Sequence, residues 1–464
     1  MKALNKMSRG QIIVLVAVSL VVLLALTALA IDVGIVYTVK AKLNSAVDGA
    51  AIAAGRGVKQ GESDAVRTAN AQAEANRFFA ANFPTNYMGS VLLPPTPQTT
   101  VVHNADGSWK ITVTGNARAS IFFARAVGWS KLTVNAIAET TVRDLDMILV
   151  LDCSGSLADD VSPPGTFNTL KSSAINFINR FSDSDGGDRI GLVSFASGAV
   201  LDVPINKNTT RGFNKTTVRN AINALTVAGS TASGEAMRLA KAELDAVPAQ
   251  YRSSLRVIIF FSDGAPNDVA GSFSSGANNV IGTLYSETPD SLTICGGATG
   301  RADRTWRHDR RNSPDGGNNN GCNITYLPNA DYTGTIGLAS FNNRRTLQYE
   351  GSSGRIRNNK CNVNKAARNM VENVANMARS GVGNNAVTIY TLGLGERLNS
   401  NEITFCGYGV DEYGANILKR LANTSDSDTH NPSQPTGKYV FARDASQLDA
   451  AFQSIANQIL RLSK

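Results

Sequence analysis

The order of apolar runs along this 464-residue chain predicts an α/β protein. Its core would be a doubly wound, mostly parallel sheet with a long insertion, preceded by a single N-terminal transmembrane helix and a small α+β unit. Three observations carry the expectation. From residue 145, short apolar runs (147–151, 190–195, 257–261, 386–392 and 438–441) alternate with helical stretches (169–181, 233–247, 365–379, 413–421 and 445–462). That rhythm is the pattern of a parallel sheet covered on both faces. Residues 11–31 hold no charge, and at helical rise they reach roughly 31 Å, the depth of a bilayer's hydrocarbon core. Between these two regions, residues 99–103 and 109–114 alternate across Ala105-Asp106-Gly107-Ser108, a hairpin signal.

Taken in order, residues 1–10 carry Lys2, Lys6 and Arg9 without an acid, and Asp32 follows the apolar run. The positive-inside rule leaves 1–10 in the cytoplasm and exports everything after the membrane helix at 11–31. A cleaved secretory signal is the competing reading, because Ala28-Leu29-Ala30 is a small-residue cleavage pattern. The run is longer than a usual signal core, and helical sequence continues past Asp32, so a retained anchor is expected. Residues 33–57 contain no Pro, and Leu43, Val47, Ala50, Ala51 and Ala54 keep helical spacing, so the helix extends outward. A second helix spans 64–82, with Gly61 and Pro84 near its ends. A short helix over 117–127 and a closing strand over 131–142 complete a unit of residues 32–143. The α/β domain then fills 144–464. Residues 270–362, rich in Asn, Gly, Ser and Arg with little periodicity, read as its insertion, and a loop that long inside a domain is usually functional.

Composition narrows the chemistry. Apolar residues at 42% and charged residues at 18% exclude a mainly disordered chain. The three histidines, His103, His308 and His430, lie far apart without metal-ligand spacing, which argues against a His-rich zinc enzyme. A net charge of +8 gives no ground by itself for nucleic-acid binding. Carboxylates and hydroxyls are left to carry the function.

They gather in three loops. The first apolar strand ends in Asp152-Cys153-Ser154-Gly155-Ser156; Gly229-Ser230-Thr231-Ala232-Ser233-Gly234-Glu235 precedes a helix; Phe261-Ser262-Asp263-Gly264 ends a later strand. In a doubly wound sheet such loops meet at the carboxyl ends of adjacent strands, where ligands bind. Two carboxylates and three hydroxyls make an all-oxygen shell for a hard divalent ion. Capping of turns and helices by the same residue types is the plainer reading, but capping does not require all five at matched strand ends. This arrangement resembles the metal-ion-dependent adhesion site of von Willebrand factor A domains. The resemblance implies that Asp152, Ser154, Ser156, Thr231 and Asp263 hold Mg²⁺ or Mn²⁺, partly through water, and that a partner protein's carboxylate completes the coordination. A purely structural metal is the softer alternative.

The N-terminal residues carry a second resemblance. Arg9-Gly10, the apolar run, Ile31-Asp32-Val33-Gly34, Tyr37, Leu43 and Ala46-Val47-Asp48-Gly49-Ala50-Ala51 resemble the start of TadG-like proteins of tight-adherence (Tad) pilus systems. That family couples such an anchor to a von Willebrand factor A domain. Pilin-like members cut by prepilin peptidase carry Glu five residues after the cleavage Gly; here Leu15 stands there. The resemblance therefore implies a stable assembly factor of the bacterial cytoplasmic membrane, not a processed pilin. It would be non-enzymatic, with its C-terminal domain exported and its partners pilus-assembly or envelope proteins that offer an acidic residue. A surface adhesin using the same metal site is the alternative, distinguishable by protease treatment of intact cells. Metal-dependent hydrolysis lacks a convincing general base. The Ala-rich helix could also pack against copies of itself, so a homo-oligomer stays open.

Five cysteines remain. Cys153 alternates away from the loop's oxygen ligands and is expected to pack as a small buried residue. Cys295, Cys322, Cys361 and Cys406 lie in an exported domain where disulfides persist, and their three pairings stay open. Topology places all four in loops around the site, so disulfides are expected to stiffen a long crown there. Within it Arg301, Arg304, Arg307, Arg310 and Arg311 accompany Trp306 and His308. A recognition patch for an acidic protein, polysaccharide or DNA competes with a solvated loop, which the interspersed Asp303 and Asp309 favour.

Overall fold

The longest element, α1 (Ser8–Gly57), is one unbroken helix of 50 residues, about 75 Å at the usual rise. The computed structural model describes residues 8–463 apart from 62, 106, 184–186, 209, 276–277, 287–304, 312–323 and 401–405. Apart from half-buried Ala28, the apolar side chains from Ile12 to Ile31 stand exposed, with a mean hydropathy of 3.2 in the most apolar window, and the helix is long enough to cross a membrane. Past Asp32 the same helix turns one face inward: Val39, Leu43, Ala46, Val47, Ala50 and Ala54 are buried at spacings of three and four. Two compact units are formed. One contains the residues up to Asn104 with Trp109–Val142, the other Ala105–Ser108 with Arg143–Ser463.

In the first unit α1 packs on α2 (Asp64–Asn82). Ser63 caps α2 by accepting from the Val66 N–H, and Phe83 closes it ahead of Pro84. Buried Arg67 donates from Nε to the Val58 carbonyl at 2.6 Å, satisfying a group just beyond the end of α1. Its guanidinium lies 4.5 Å over Trp109, whose other partner is the His103 ring at 4.2 Å. The antiparallel sheet comprises β1 (Val91–Leu92), β2 (Gln98–His103), β3 (Ser108–Ser120) and β4 (Lys131–Arg143), with β3 pairing to all three others. The helix expected over 117–127 is a correction. Ala117 and Ala119 point into the core while Arg118 points out, a period of two that continues β3 to Ser120. Only a four-residue 3₁₀ turn, Ala124–Val127, follows.

The second unit bears out the α/β class. Its strands are β5 (Leu145–Asp152), β6 (Arg189–Phe195), β7 (Ala199–Val203), β8 (Leu255–Ser262), β14 (Thr388–Leu394) and β15 (Tyr439–Ala442). They form one sheet in the order β15-β14-β8-β5-β6-β7, parallel throughout except for β7, which runs antiparallel to β6. Every residue of β5, β6 and β8 is buried, as expected of strands covered on both faces. Ile148, Val150, Ile258 and Phe260 face α5 (Ser233–Asp245), α6 (Lys360–Arg379) and α7 (Gly414–Ala422). Met147, Leu149, Ile259 and Phe261 face α3 (Thr166–Ile178), α4 (Lys215–Asn223) and α8 (Leu448–Leu462). The chain leaves β5 toward β6 and returns on its other side as β8, so the strand order reverses between β5 and β8. That point is the usual ligand crevice of an open α/β sheet.

The insertion is more ordered than its composition implied. β9 (Asp268–Ser275) and β10 (Asn278–Tyr285) form a hairpin, extended by β11 (Thr305–Trp306); β12 (Tyr326–Leu327) pairs with β13 (Ile356–Arg357). Val269, Phe273, Leu284, Leu327, Leu338 and Leu347 join the core against α5 and α6. Beneath them lies a buried charge network. Arg345 donates to Glu372 at 2.7 Å and Glu412 at 2.6 Å, Arg420 reaches Glu372 at 2.6 Å, and Arg368 reaches the Glu412 carbonyl at 2.6 Å. Burial pushes the Glu372 carboxyl up, but Arg345 and Arg420 outweigh it and hold the group below its ordinary value. Removing one member strands its partners' charges in the interior. Glu372→Ala is therefore expected to lower stability by about 3–5 kcal/mol, measured as the urea midpoint of the full chain in detergent. A loss no larger than that of an exposed pair, about 1 kcal/mol or less, would contradict this account.

Candidate metal centre

The three loops picked out from the sequence meet at the β5/β8 crevice. β5 ends at Asp152, whose Oδ1 accepts the Ser154 N–H at 2.8 Å and whose Oδ2 accepts the Ser262 hydroxyl at 2.6 Å. The Ser154 and Ser156 hydroxyls lie 3.0 Å apart, and Ser156 donates to Asp263 Oδ1 at 2.8 Å. A continuous hydrogen-bonded chain thus runs from the end of β5 to the turn after β8. Backbone bonds draw in the middle loop: Gly155 N–H donates to the Gly229 carbonyl at 2.8 Å, and Ala228 N–H to the Cys153 carbonyl at 2.9 Å. Thr231 is held by its N–H on Asn267 Oδ1 at 2.8 Å. Its side chain lines a cleft together with Ser154, Ser156, Asn267, Tyr285 and Arg397.

Electrostatics make this cluster tense. Asp152 and Asp263 are almost entirely buried, at 0% and 5% exposure. Burial pushes the Asp152 carboxyl well up, and the nearby Asp263 charge adds to it, while bonds from Ser154 and Ser262 oppose both. Asp263 is pushed up by burial against the pull of Ser156 and the Arg397 charge. A third carboxyl, Asp268 at the start of β9, is pushed up to about 8 by burial and accepts the Ser230 hydroxyl. Cys153 is buried with a free thiol that burial pushes far up, so it packs as an inert residue beside the loop. Among the described residues no group of three or more His, Cys, Asp or Glu is placed to hold a metal. An ion at the crevice would depend on two carboxylates and the hydroxyls of Ser154, Ser156 and Thr231, a set that fits a hard divalent cation.

Two segments of the chain match known families. Residues 147–265 match the von Willebrand factor type A domain, and residues 10–57 match the putative Flp pilus-assembly TadE/G-like family. The chain joins a TadE/G-like segment to a von Willebrand factor type A domain. Similar solved structures include the von Willebrand factor domain of the type V pili tip protein Mfa5 from Porphyromonas gingivalis, at 19% identity over 70% of this chain and 98% of that one, TM-score 0.38. The PilB minor pilin from Streptococcus sanguinis is similar at 16% identity over 82% and 81%, TM-score 0.40. The pilus adhesin SpaC from Lactobacillus rhamnosus GG is similar at 14% over 79% and 34%, TM-score 0.38. At these scores they are likenesses only. No curated protein matches the chain in sequence.

Within the von Willebrand factor A domain, the insertion builds the rim of the crevice. Tyr285 closes β10 beside the cleft, and Arg397 enters it from the turn after β14; neither carried a sequence signal. Asn267 lies four residues past Asp263 and could have been suspected from that proximity alone. Cys361, in the first turn of α6, is bonded to Cys406 across 45 residues, with Cα atoms 5.4 Å apart. Tyr408, two residues on, donates to Asn364 at 2.7 Å, and Asn364 reaches the Pro266 carbonyl at 3.4 Å, so this linkage leads back to the turn after Asp263. Cys295, Cys322, Arg301 and Arg304 lie outside the described residues. Much of the remaining basic run is engaged within the domain. Arg307 pairs with Asp309 at 2.7 Å, Arg311 reaches Asp202 and Ser194 at 2.8 and 2.9 Å, and His308 lies 3.4 Å from Glu235.

That segment rests on Gly198. The His308 carbonyl accepts the Ala199 N–H and the Arg311 carbonyl the Ser197 N–H, at 2.9 and 2.8 Å. A Cβ on Gly198 would lie 2.4 Å from the carbonyl oxygens of both Arg307 and Arg310. Gly198→Ala must therefore lift residues 307–311 at an overpacking cost of about 1–3 kcal/mol. Tryptic cleavage after Arg307 and Arg310 is expected to quicken roughly tenfold or more while the sheet stays folded by circular dichroism. Unchanged cleavage would show that the segment is not held there.

Proposed function

We propose that the protein is a membrane-anchored, non-enzymatic component of Tad pilus assembly. Its von Willebrand factor A domain would be exported and would bind envelope or pilus-assembly proteins through a divalent metal, Mg²⁺ or Mn²⁺. The observation that carries this reading is the hydrogen-bonded chain Asp152–Ser154–Ser156–Asp263 at the strand-order reversal, in a chain that also carries a TadE/G-like segment. Asp152, Ser154, Ser156, Thr231 and Asp263 would hold the ion. The ion would supply a Lewis-acidic position for a partner's Asp or Glu. Ser262 and the Ser154 N–H orient Asp152, and Asn267 fixes the backbone of Thr231. Burial raises both carboxyls, the Asp263 charge raises Asp152 further, and a cation would offset both effects, which is the physical basis for affinity.

Calorimetric titration of the full chain in detergent with Mg²⁺ and Mn²⁺ tests the reading. Saturable one-site binding is expected, and it should disappear in Asp152→Ala and in Asp263→Ala while both variants keep their circular dichroism. Because both carboxyls are raised above their ordinary values, protons compete with the metal above the usual carboxylate range. The metal-induced rise in Tm should therefore be present near about pH 8 and be largely lost near about pH 5. Binding that survives both substitutions would put the ion elsewhere and sink the proposal.

A further inference from the structure

One loop of the first unit is fastened to α1 at the edge of its apolar stretch. Asp32, the first charged residue after residues 11–31, is buried, and it accepts three successive backbone N–H groups. Its Oδ1 takes Phe122 at 2.9 Å, and its Oδ2 takes Phe123 at 3.0 Å and Ala124 at 2.8 Å. The 3₁₀ turn Ala124–Val127 lies against α1. Ala28, one helical turn before Asp32, is the one residue from 12 to 31 that is half-buried. The loop is thereby held level with the last turn of the apolar stretch, within about 6 Å along the helix axis.

What this loop displays does not suit water. Phe122, Phe123 and Trp129 are 53%, 50% and 67% exposed, and Leu132 beside them is 44% exposed. Arg125 and Lys131, also exposed, stand among them. Aromatic side chains mixed with cations are the composition of a membrane–water interface, where ring bodies sit at headgroup depth and cations meet lipid phosphates. The occupant follows from continuity. The apolar stretch of a helix long enough to cross a bilayer ends where this loop is attached, so the surface that covers that stretch also reaches the loop.

We propose that residues 121–132 form an interfacial foot, bedded in the headgroup layer of the membrane that α1 crosses, with Asp32 as the clamp that sets its depth. The inference rests on reading residues 11–31 as a membrane anchor. It adds a second point of lipid contact, which fixes the height and tilt of the first unit.

The test uses the full chain reconstituted into phosphatidylcholine–phosphatidylglycerol vesicles whose acyl chains carry bromine at a shallow or a deep position. Flotation establishes insertion, and the difference in tryptophan emission between the parent and Trp129→Phe isolates Trp129 from Trp109, which is buried, and from Trp306. The expected result is flotation of both proteins, a blue-shifted Trp129 contribution, and stronger quenching by shallow than by deep bromines, with that difference lost in Trp129→Phe. A protein that floats while Trp129 stays unquenched overturns the foot and leaves the anchor standing; the aromatic surface would then belong to a protein partner. A protein that fails to float overturns the anchor and the foot together.

Discussion

Two carboxyl groups held out of water at the ends of neighbouring parallel strands set the terms for the second unit. Asp152 and Asp263 each lose hydration on folding, and the Asp263 charge raises the cost of charging Asp152 further. Much of their immediate surroundings answers that cost: a backbone N–H from Ser154, hydroxyls from Ser262 and Ser156, and the positive field of Arg397. The strand ends that carry the two carboxyls are fixed side by side by the pairing of β5 with β8, and main-chain bonds from Ala228 to the Cys153 carbonyl and from Gly155 to the Gly229 carbonyl fasten the middle loop to the first.

The insertion answers a different problem, how a polar segment becomes interior. Its apolar residues are few, and the charge network of Arg345, Arg368, Arg420, Glu372 and Glu412 supplies fixed geometry in their place. Placement decides which ion pairs matter. Arg77–Glu74 on the surface of α2 is solvated and adds little, whereas the Arg345 and Glu372 side chains are each only 2% exposed, so the loss of one leaves the other's charge buried. The disulfide between Cys361 and Cys406 acts on the same region by limiting how far the unfolded chain can spread.

Periodicity made much of this legible from residues alone. The buried strands announced themselves as short apolar runs, and α2 could be bounded at 64 and 82 from Gly61, Pro84 and the pattern between them. The Asp-x-Ser-x-Ser spacing put three oxygens on one turn, and strand order brought Asp263 to meet them. The failures also have physical causes. β7 is a short, half-buried edge strand and α4 a nine-residue helix, both too brief for a period to register. The β9–β10 hairpin hid behind Ser, Gly and Asn because only one face of it meets the core. Arg397 and the clamp at Asp32 depend on partners roughly a hundred residues away, and local sequence says nothing of such distances.

The unbroken course of α1 has a mechanical side. No proline and no kink separate its exposed apolar turns from the turns that pack against α2 and β3, so the helix behaves as a shaft with no swivel joint. Rotation of the apolar half about its axis must turn the first unit by the same angle. A one-residue change in the face by which that half is gripped would swing the unit's bearing by about 100°. Whatever surrounds the N-terminal half of α1 therefore chooses the compass direction in which the first unit looks.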